Sequence, residues 1–286
     1  MVRIIARPGV RQNRHGPLQL RHKLEWLNDP QMIRSKILSL LIAAGVAVSA
    51  AGVSHAADLK VITANGLRKV LDETRAQFEQ ASGHRITVIV TETGEIRRRL
   101  LAGEAFDVVV VPRDVAEELE QAGKVAPGSA LILARDRFGL AVASDGPRPD
   151  VSTPEALKQT LLAARTVLIT DPERGAISGV HFMNVITKLG IAEQMKGKIV
   201  ANPGGNFHAQ RVVTGEADLA VQTEHEIRCV KGATFLPYPA VFQRTVIFVG
   251  AISAAARNAT AASAYLGFLT GANITNAYVA HCLTRG

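Results

Sequence analysis

The chain has 286 residues, with 33 Lys and Arg against 25 Asp and Glu, eight His and two Cys. Residues 1–56 hold eight of the basic and two of the acidic side chains, so +6 of the net +8 sits there and the other 230 residues carry only about +2. That excludes a nucleic-acid footprint, which needs basic residues clustered on the folded part, and two isolated cysteines exclude a cysteine-based metal framework.

Residues 1–31 are basic and without periodicity, and Met32 reads as the true start, which makes 1–31 an upstream extension. Residues 32–56 read as an export signal: Arg34 and Lys36 lead, Ile37 to Val53 is apolar, and Ser54-His55-Ala56 is a small-x-small cleavage site. The competing reading is a membrane anchor, for which the apolar run is at the short limit. Export would put Cys229 and Cys282 in an oxidising compartment, where they could pair, but their spacing of 53 residues decides nothing.

From residue 57 the pattern alternates. Strands are expected at 59–64, 86–90 and 106–112. Helices with 3.6-residue periodicity are expected at 67–81, 95–102 and 114–122, each followed by glycine. This rhythm argues for a mostly parallel sheet covered by helices. A long extended apolar stretch follows at 131–146, then a helix at 153–163 begun by Ser152-Thr153-Pro154. A strand is expected at 166–172, helices at 179–189 and 207–214, a strand at 217–223, a second long extended stretch at 245–253, and helices at 259–269 and 274–282. The two long stretches bracket an α/β block. The expected architecture is therefore two α/β lobes with a double chain crossover and an interlobe ligand cleft. The first lobe is expected to span 57–139 plus 249–286, the second 140–248.

Three strand-to-helix turns share one character: Thr63-Ala64-Asn65-Gly66, Thr91-Glu92-Thr93-Gly94 and Ala176-Ile177-Ser178-Gly179. Small residues leave the first helical amides uncovered. Those amides lack intrahelical partners and sit at the positive end of the helix dipole, so an anion docks there readily. Plain helix capping explains any one such turn; three converging turns would enclose a ligand. No Walker loop, G-x-G-x-x-G, G-x-S-x-G or zinc-protease helix is present. A hydrolase would need His181, His208 or His225 beside a nucleophile such as Ser178 or Cys229. The run Arg97-Arg98-Arg99 reads as a solvated helix face.

Five segments together resemble a known family: "VITANGLRKVLDETRAQFEQASG" (61–83), "RRLLAGEAFDVVVV" (98–111), "DPERGAISGVHFMNVITKLG" (171–190), "VVTGEADLAVQT" (212–223) and "LPYPAVF…AASAYLGFL" (236–269). In order and spacing the chain from Ala57 on is similar to the periplasmic solute-binding proteins of ABC transporters, of the molybdate-binding type. The resemblance implies a monomeric periplasmic protein that is not an enzyme and needs no cofactor or metal. It would close two lobes on a small oxyanion, molybdate or tungstate first, and deliver it to an ABC transporter permease. Carried over by motif, the ligand contacts would be Thr63, Asn65, Gly66, Thr93, Gly94, Ser178, Gly179, Gly205 and Thr223.

The same motifs depart from the family at the ligand. Gly66 stands where the family has serine, Thr93-Gly94 replaces a second serine, Thr223 stands for a tyrosine, and Glu226 for an aspartate. Each lost hydroxyl removes a donor worth roughly 1.5–3 kcal/mol toward a charged partner. If Glu92 or Glu95 faces the cleft, its acceptor-only carboxylate would favour a ligand that carries a proton or an amine. The alternative expectation is therefore a small organic solute, with extra room where the serines are missing.

Overall fold

The computed structural model describes residues 56–202 and 208–286. The segment expected at 1–31, the export signal up to residue 55, and Gly205 lie outside the described residues.

The strands are β1 (Asp58–Thr63), β2 (Arg85–Val90), β3 (Val108–Pro112), β4 (Leu131–Ala143), β5 (Val167–Thr170), β6 (Ile199–Asn202), β7 (Leu219–Thr223), β8 (Ala233–Pro237), β9 (Thr245–Ile252) and β10 (Thr284–Arg285). Between them lie α1 (Arg68–Ser82), α2 (Thr93–Leu101), α3 (Arg113–Gln121), α4 (Pro154–Ala163), α5 (Ile177–Lys188), α6 (Ala192–Met195), α7 (His208–Val213), α8 (Glu224–Arg228), α9 (Ala259–Leu269) and α10 (Thr275–Ala280). A single 3₁₀ turn, Asn65–Leu67, leads into α1.

Hydrogen bonding links the strands in the order β2-β1-β3-β9-β4-β7-β5-β6, with β8 and β10 both pairing β4. Pairing is parallel for β1 with β2 and β3, and for β5 with β6 and β7. All five residues of β3 and of β7 are buried, and so are all four of β5. Covering helices shield both faces of such strands, which is why they read as continuous apolar runs.

Strand β4 changes partners along its length. Residues Leu131 to Arg137 pair with β9, while Phe138 to Ala143 pair with β7 and β8. The sheet therefore has a first half, built on β1, and a second half, built on β5. Strand β9 belongs wholly to the first half, paired with β3 and the start of β4. Three strands and two helices were not expected from periodicity: β6, β8, β10, α6 and α8. All are short, at two to five residues.

The main core gathers residues of both halves, Leu59, Val108, Phe138, Phe182 and Tyr265 among them. Phe78 of α1 meets Tyr265 of α9 edge-on at 4.9 Å, and Phe268 at 5.3 Å, so the last long helix is packed against the first. Gly83 ends α1 in the left-handed conformation with φ 73°, a position that costs a residue with a side chain more than glycine.

Cys229, which follows α8, and Cys282, which follows α10, form a disulfide with Cα atoms 5.8 Å apart. Helix α8 packs on β7, β8 and β4, whereas α10 packs on α1 and β10. The bridge therefore ties the second half to the first across 53 residues of chain. Replacing both cysteines by serine should lower unfolding free energy by about 2–4 kcal/mol, the usual effect of opening a loop of this length. Urea unfolding of the oxidised wild type beside the double variant measures it.

Candidate functional site

The parallel strands β1, β5 and β7 end at Thr63, Thr170 and Thr223. The carboxyl ends of strands in open α/β sheets are where crevices form. Beyond these ends lies a cavity of about 40 Å³ lined by residues of both halves, among them Asn65, Gly66, Glu92, Thr93, Ser178, Thr223 and Glu226. That is room for about three waters at roughly one probe sphere each, or for a ligand of a few heavy atoms.

Three helical segments, the turn Asn65–Leu67, α2 and α5, begin among the residues that line this cavity. None of their N-caps (Ala64, Glu92, Ala176) supplies a side-chain bond, whereas α4 and α9, which lie elsewhere, are capped by Thr153 and Asn258. On the second half, Thr170 Oγ1 accepts from Gly179 N–H at 2.9 Å and lies 2.7 Å from Ser178 Oγ. With Thr170 Oγ1 donating to Ser178 Oγ, the Ser178 hydrogen is left for a ligand.

The two halves touch directly beside the cavity. Gly94 N–H donates to Gly175 O at 3.2 Å. A Cβ on Gly94 would fall 2.7 Å from the Gly175 Cα, and Gly175 itself has φ 72°. Only two glycines allow the backbones to approach this closely.

Of the residues expected as ligand contacts, Asn65, Gly66, Thr93, Ser178 and Thr223 line one cavity. Thr63 and Gly179 stand behind it: Thr63 Oγ1 donates to Ala64 O, and the Gly179 amide is taken by Thr170. Gly94 lies at the interhalf contact and lines a neighbouring hollow. The room expected at the missing serine is absent, because the Phe248 ring fills it. A Cβ on Gly66 would lie 2.6 Å from Phe248 Cζ.

The acidic lining is the feature the sequence left open. Glu92 is buried in the cavity wall and accepts from Asn65 Nδ2 at 3.2 Å. Glu95 points outward and pairs with Arg98, which holds its carboxyl below the ordinary value. Glu226 also lines the cavity, and its Oε2 accepts from Thr223 N–H at 3.1 Å and Thr223 Oγ–H at 2.9 Å. Thr170, Phe248 and Glu226 were not among the expected contacts. For Thr170 the available signal was its place at the carboxyl end of a buried strand.

Among the described residues no histidine reaches Ser178 or Cys229, although His225 Nδ1 lies 3.1 Å from Thr223 Oγ1. Cys229 is in the disulfide, Ser178 Oγ is bonded to Thr170, and His181 Nε2 lies 2.8 Å from Phe242 O. His208 is buried, and burial first, with Arg211 second, pulls it down to about 4. The arginine run is engaged: Arg97 with Glu118, Arg98 with Glu95, Arg99 with Glu104.

His225, on α8, binds Asp136 of β4, with Nδ1 2.5 Å from Oδ2. Burial lowers its affinity for a proton, but Asp136 and then Glu226 outweigh that and hold the imidazole above its ordinary value, with Lys69 a lesser opposing charge. A raised histidine stabilises fully below its unfolded value of about 6.5 and loses that contribution as pH climbs through the folded-state value. The stability gap between wild type and His225→Gln should therefore be largest near pH 6 and shrink toward pH 9. Urea midpoints across that range read it, and a gap that widens with pH would contradict the pairing.

Comparison with known proteins adds three findings. The family described as "Bacterial extracellular solute-binding protein" matches residues 59–281. Among curated relatives, an aconitate isomerase from Pseudomonas sp is 27% identical over 229 residues, covering 77% of this chain and 84% of that protein. The molybdate-binding protein ModA of Azotobacter vinelandii is 28% identical over 181 residues, 63% of this chain and 69% of that protein. In three dimensions the periplasmic molybdate-binding protein of Azotobacter vinelandii superposes with TM-score 0.62 at 19% identity, over 79% of this chain and 98% of the other.

Proposed function

Since the chain belongs to the bacterial extracellular solute-binding proteins, we propose that it is a periplasmic binding protein whose two α/β lobes close on a small acid bearing its own proton. The first lobe comprises residues 57–137 and 245–286, the second 138–244, and the hinge lies where β4 changes partners and where the chain returns into β9. An ABC transporter permease receives the ligand, and the binding protein works as a monomer.

The observation that carries the reading is the shared lining of Glu92, from the first lobe, and Glu226, from the second. Helix amides and the Ser178 hydroxyl serve the ligand's negative oxygens. The two carboxylates only accept, so they need a ligand O–H. Molybdate and tungstate are bare dianions at neutral pH. A unit charge 4 Å from a carboxylate costs about 4 kcal/mol at an effective dielectric of 20. That exceeds the roughly 1.5–3 kcal/mol of one charge-assisted hydrogen bond. Protonated oxyacids, and carboxylic acids that carry a hydroxyl or keep their own proton, satisfy both kinds of wall.

Calorimetry with inorganic phosphate, sulfate, molybdate, tungstate and short carboxylic acids tests this. Proton-bearing acids should bind and bare dianions should not. Replacing Glu92 with Gln supplies an amide donor, and should shift preference toward sulfate and molybdate by about tenfold. Tight molybdate binding by the wild type would return the oxyanion reading to first place.

The isomerase relative and the paired carboxylates favour a second reading. One carboxylate removes a proton from a carbon of an unsaturated carboxylic acid, the double bond shifts, and the other acid returns a proton to a different carbon. Incubation with cis- or trans-aconitate in deuterated water should then give the other isomer with deuterium on carbon. Unchanged, unlabelled acid leaves binding alone.

A further inference from the structure

A second hollow of about 30 Å³ adjoins the cavity and shares Asn65, Gly66 and Glu226 with it. Its other walls are basic: Lys69, His225 and His281 line it, and Cys229 of the disulfide stands beside them. One chamber is therefore walled by two carboxylates, and the next by an ammonium and two imidazoles beside one of those carboxylates, Glu226.

Lys69 is out of place on local grounds. It sits in the first turn of α1, which holds no acidic residue, where the helix dipole disfavours a cation. Arg68 beside it is paired with Asp72. Among the described residues no ion pair engages Lys69, while His281 is held by Glu73 and His225 by Asp136. A positive charge placed where local electrostatics oppose it, with no carboxylate partner, at the edge of a ligand chamber, is a charge set for something the ligand brings.

We propose that this hollow is a second anion subsite with Lys69 as its counter-ion, so that the ligand is a short di- or tricarboxylic acid. One carboxyl, protonated or flanked by a hydroxyl, meets Glu92, Glu226 and the helix amides. The other, ionised, meets Lys69. The disulfide holds α8, and with it Glu226 and His225, at the hollow's wall. The inference rests on the small-acid reading of the first chamber and deepens it.

Titration calorimetry at about pH 5, where each acid keeps part of its carboxyl protonation, on the wild type, Lys69→Met and Lys69→Arg with propionate, succinate, propane-1,2,3-tricarboxylate and inorganic phosphate tests it. The expected result is a gain of about tenfold or more for succinate or the tricarboxylate over propionate in the wild type. Lys69→Met abolishes that gain and Lys69→Arg retains it. Lys69 is exposed, so neither variant disturbs the core. Binding of propionate or phosphate with no gain from a second carboxylate overturns the subsite and leaves the first chamber standing. A gain that survives Lys69→Met also overturns it. No binding of any acid overturns both readings together.

Discussion

The site depends on one strand having two sets of partners. Strand β4 spends residues 131–137 on β9 and residues 138–143 on β7 and β8. This single register fixes where the carboxyl end of β1 lies relative to those of β5 and β7. The turns after those strands, and the one after β2, then deliver Asn65, Glu92, Ser178 and Glu226 to the same 40 Å³. A slip of one residue in β4 would reverse which side chains face which side, and the convergence would be lost.

The contacts that join the two halves are of unequal strength. The halves meet at the Gly94–Gly175 backbone contact, at Arg137–Glu224, at His225–Asp136 and through the disulfide. The covalent tie and the buried His–Asp pair are on the α8 side, where Glu226 also sits. Opening at the glycine contact would leave that side in place, because two backbones held by one hydrogen bond separate more easily than a disulfide does.

What the cavity selects follows from the balance of donors and acceptors. A binding site for a fully deprotonated anion is lined with donors alone. Here the Ser178 hydroxyl shares the lining with two carboxylates, and the ring of Phe248 takes the place that a serine at position 66 would need. The same family scaffold therefore presents a mixed wall, which matches a ligand that both donates and accepts. That a relative of comparable identity is named as an isomerase and another as a molybdate-binding protein fits a scaffold whose ligand is set by a few loop residues.

Much of this was legible in the sequence. The apolar runs at β1, β3, β5 and β7, the 3.6-residue spacing of α1 and α9, and the small-residue turns at 63–66, 91–94 and 176–179 are local signals, and local chemistry suffices to read them. The short β6, β8 and β10 were not legible, because two to five residues carry too little periodicity. Three other features escaped: the Cys229–Cys282 pairing, Phe248 filling the space at Gly66, and the turning of Glu92 inward while Glu95 turns out. Each of these joins residues far apart in the chain or depends on which side of a helix start meets the other half. Only packing of the two halves against each other decides such contacts, because no local preference distinguishes a glutamate that will be enclosed from one that will meet water.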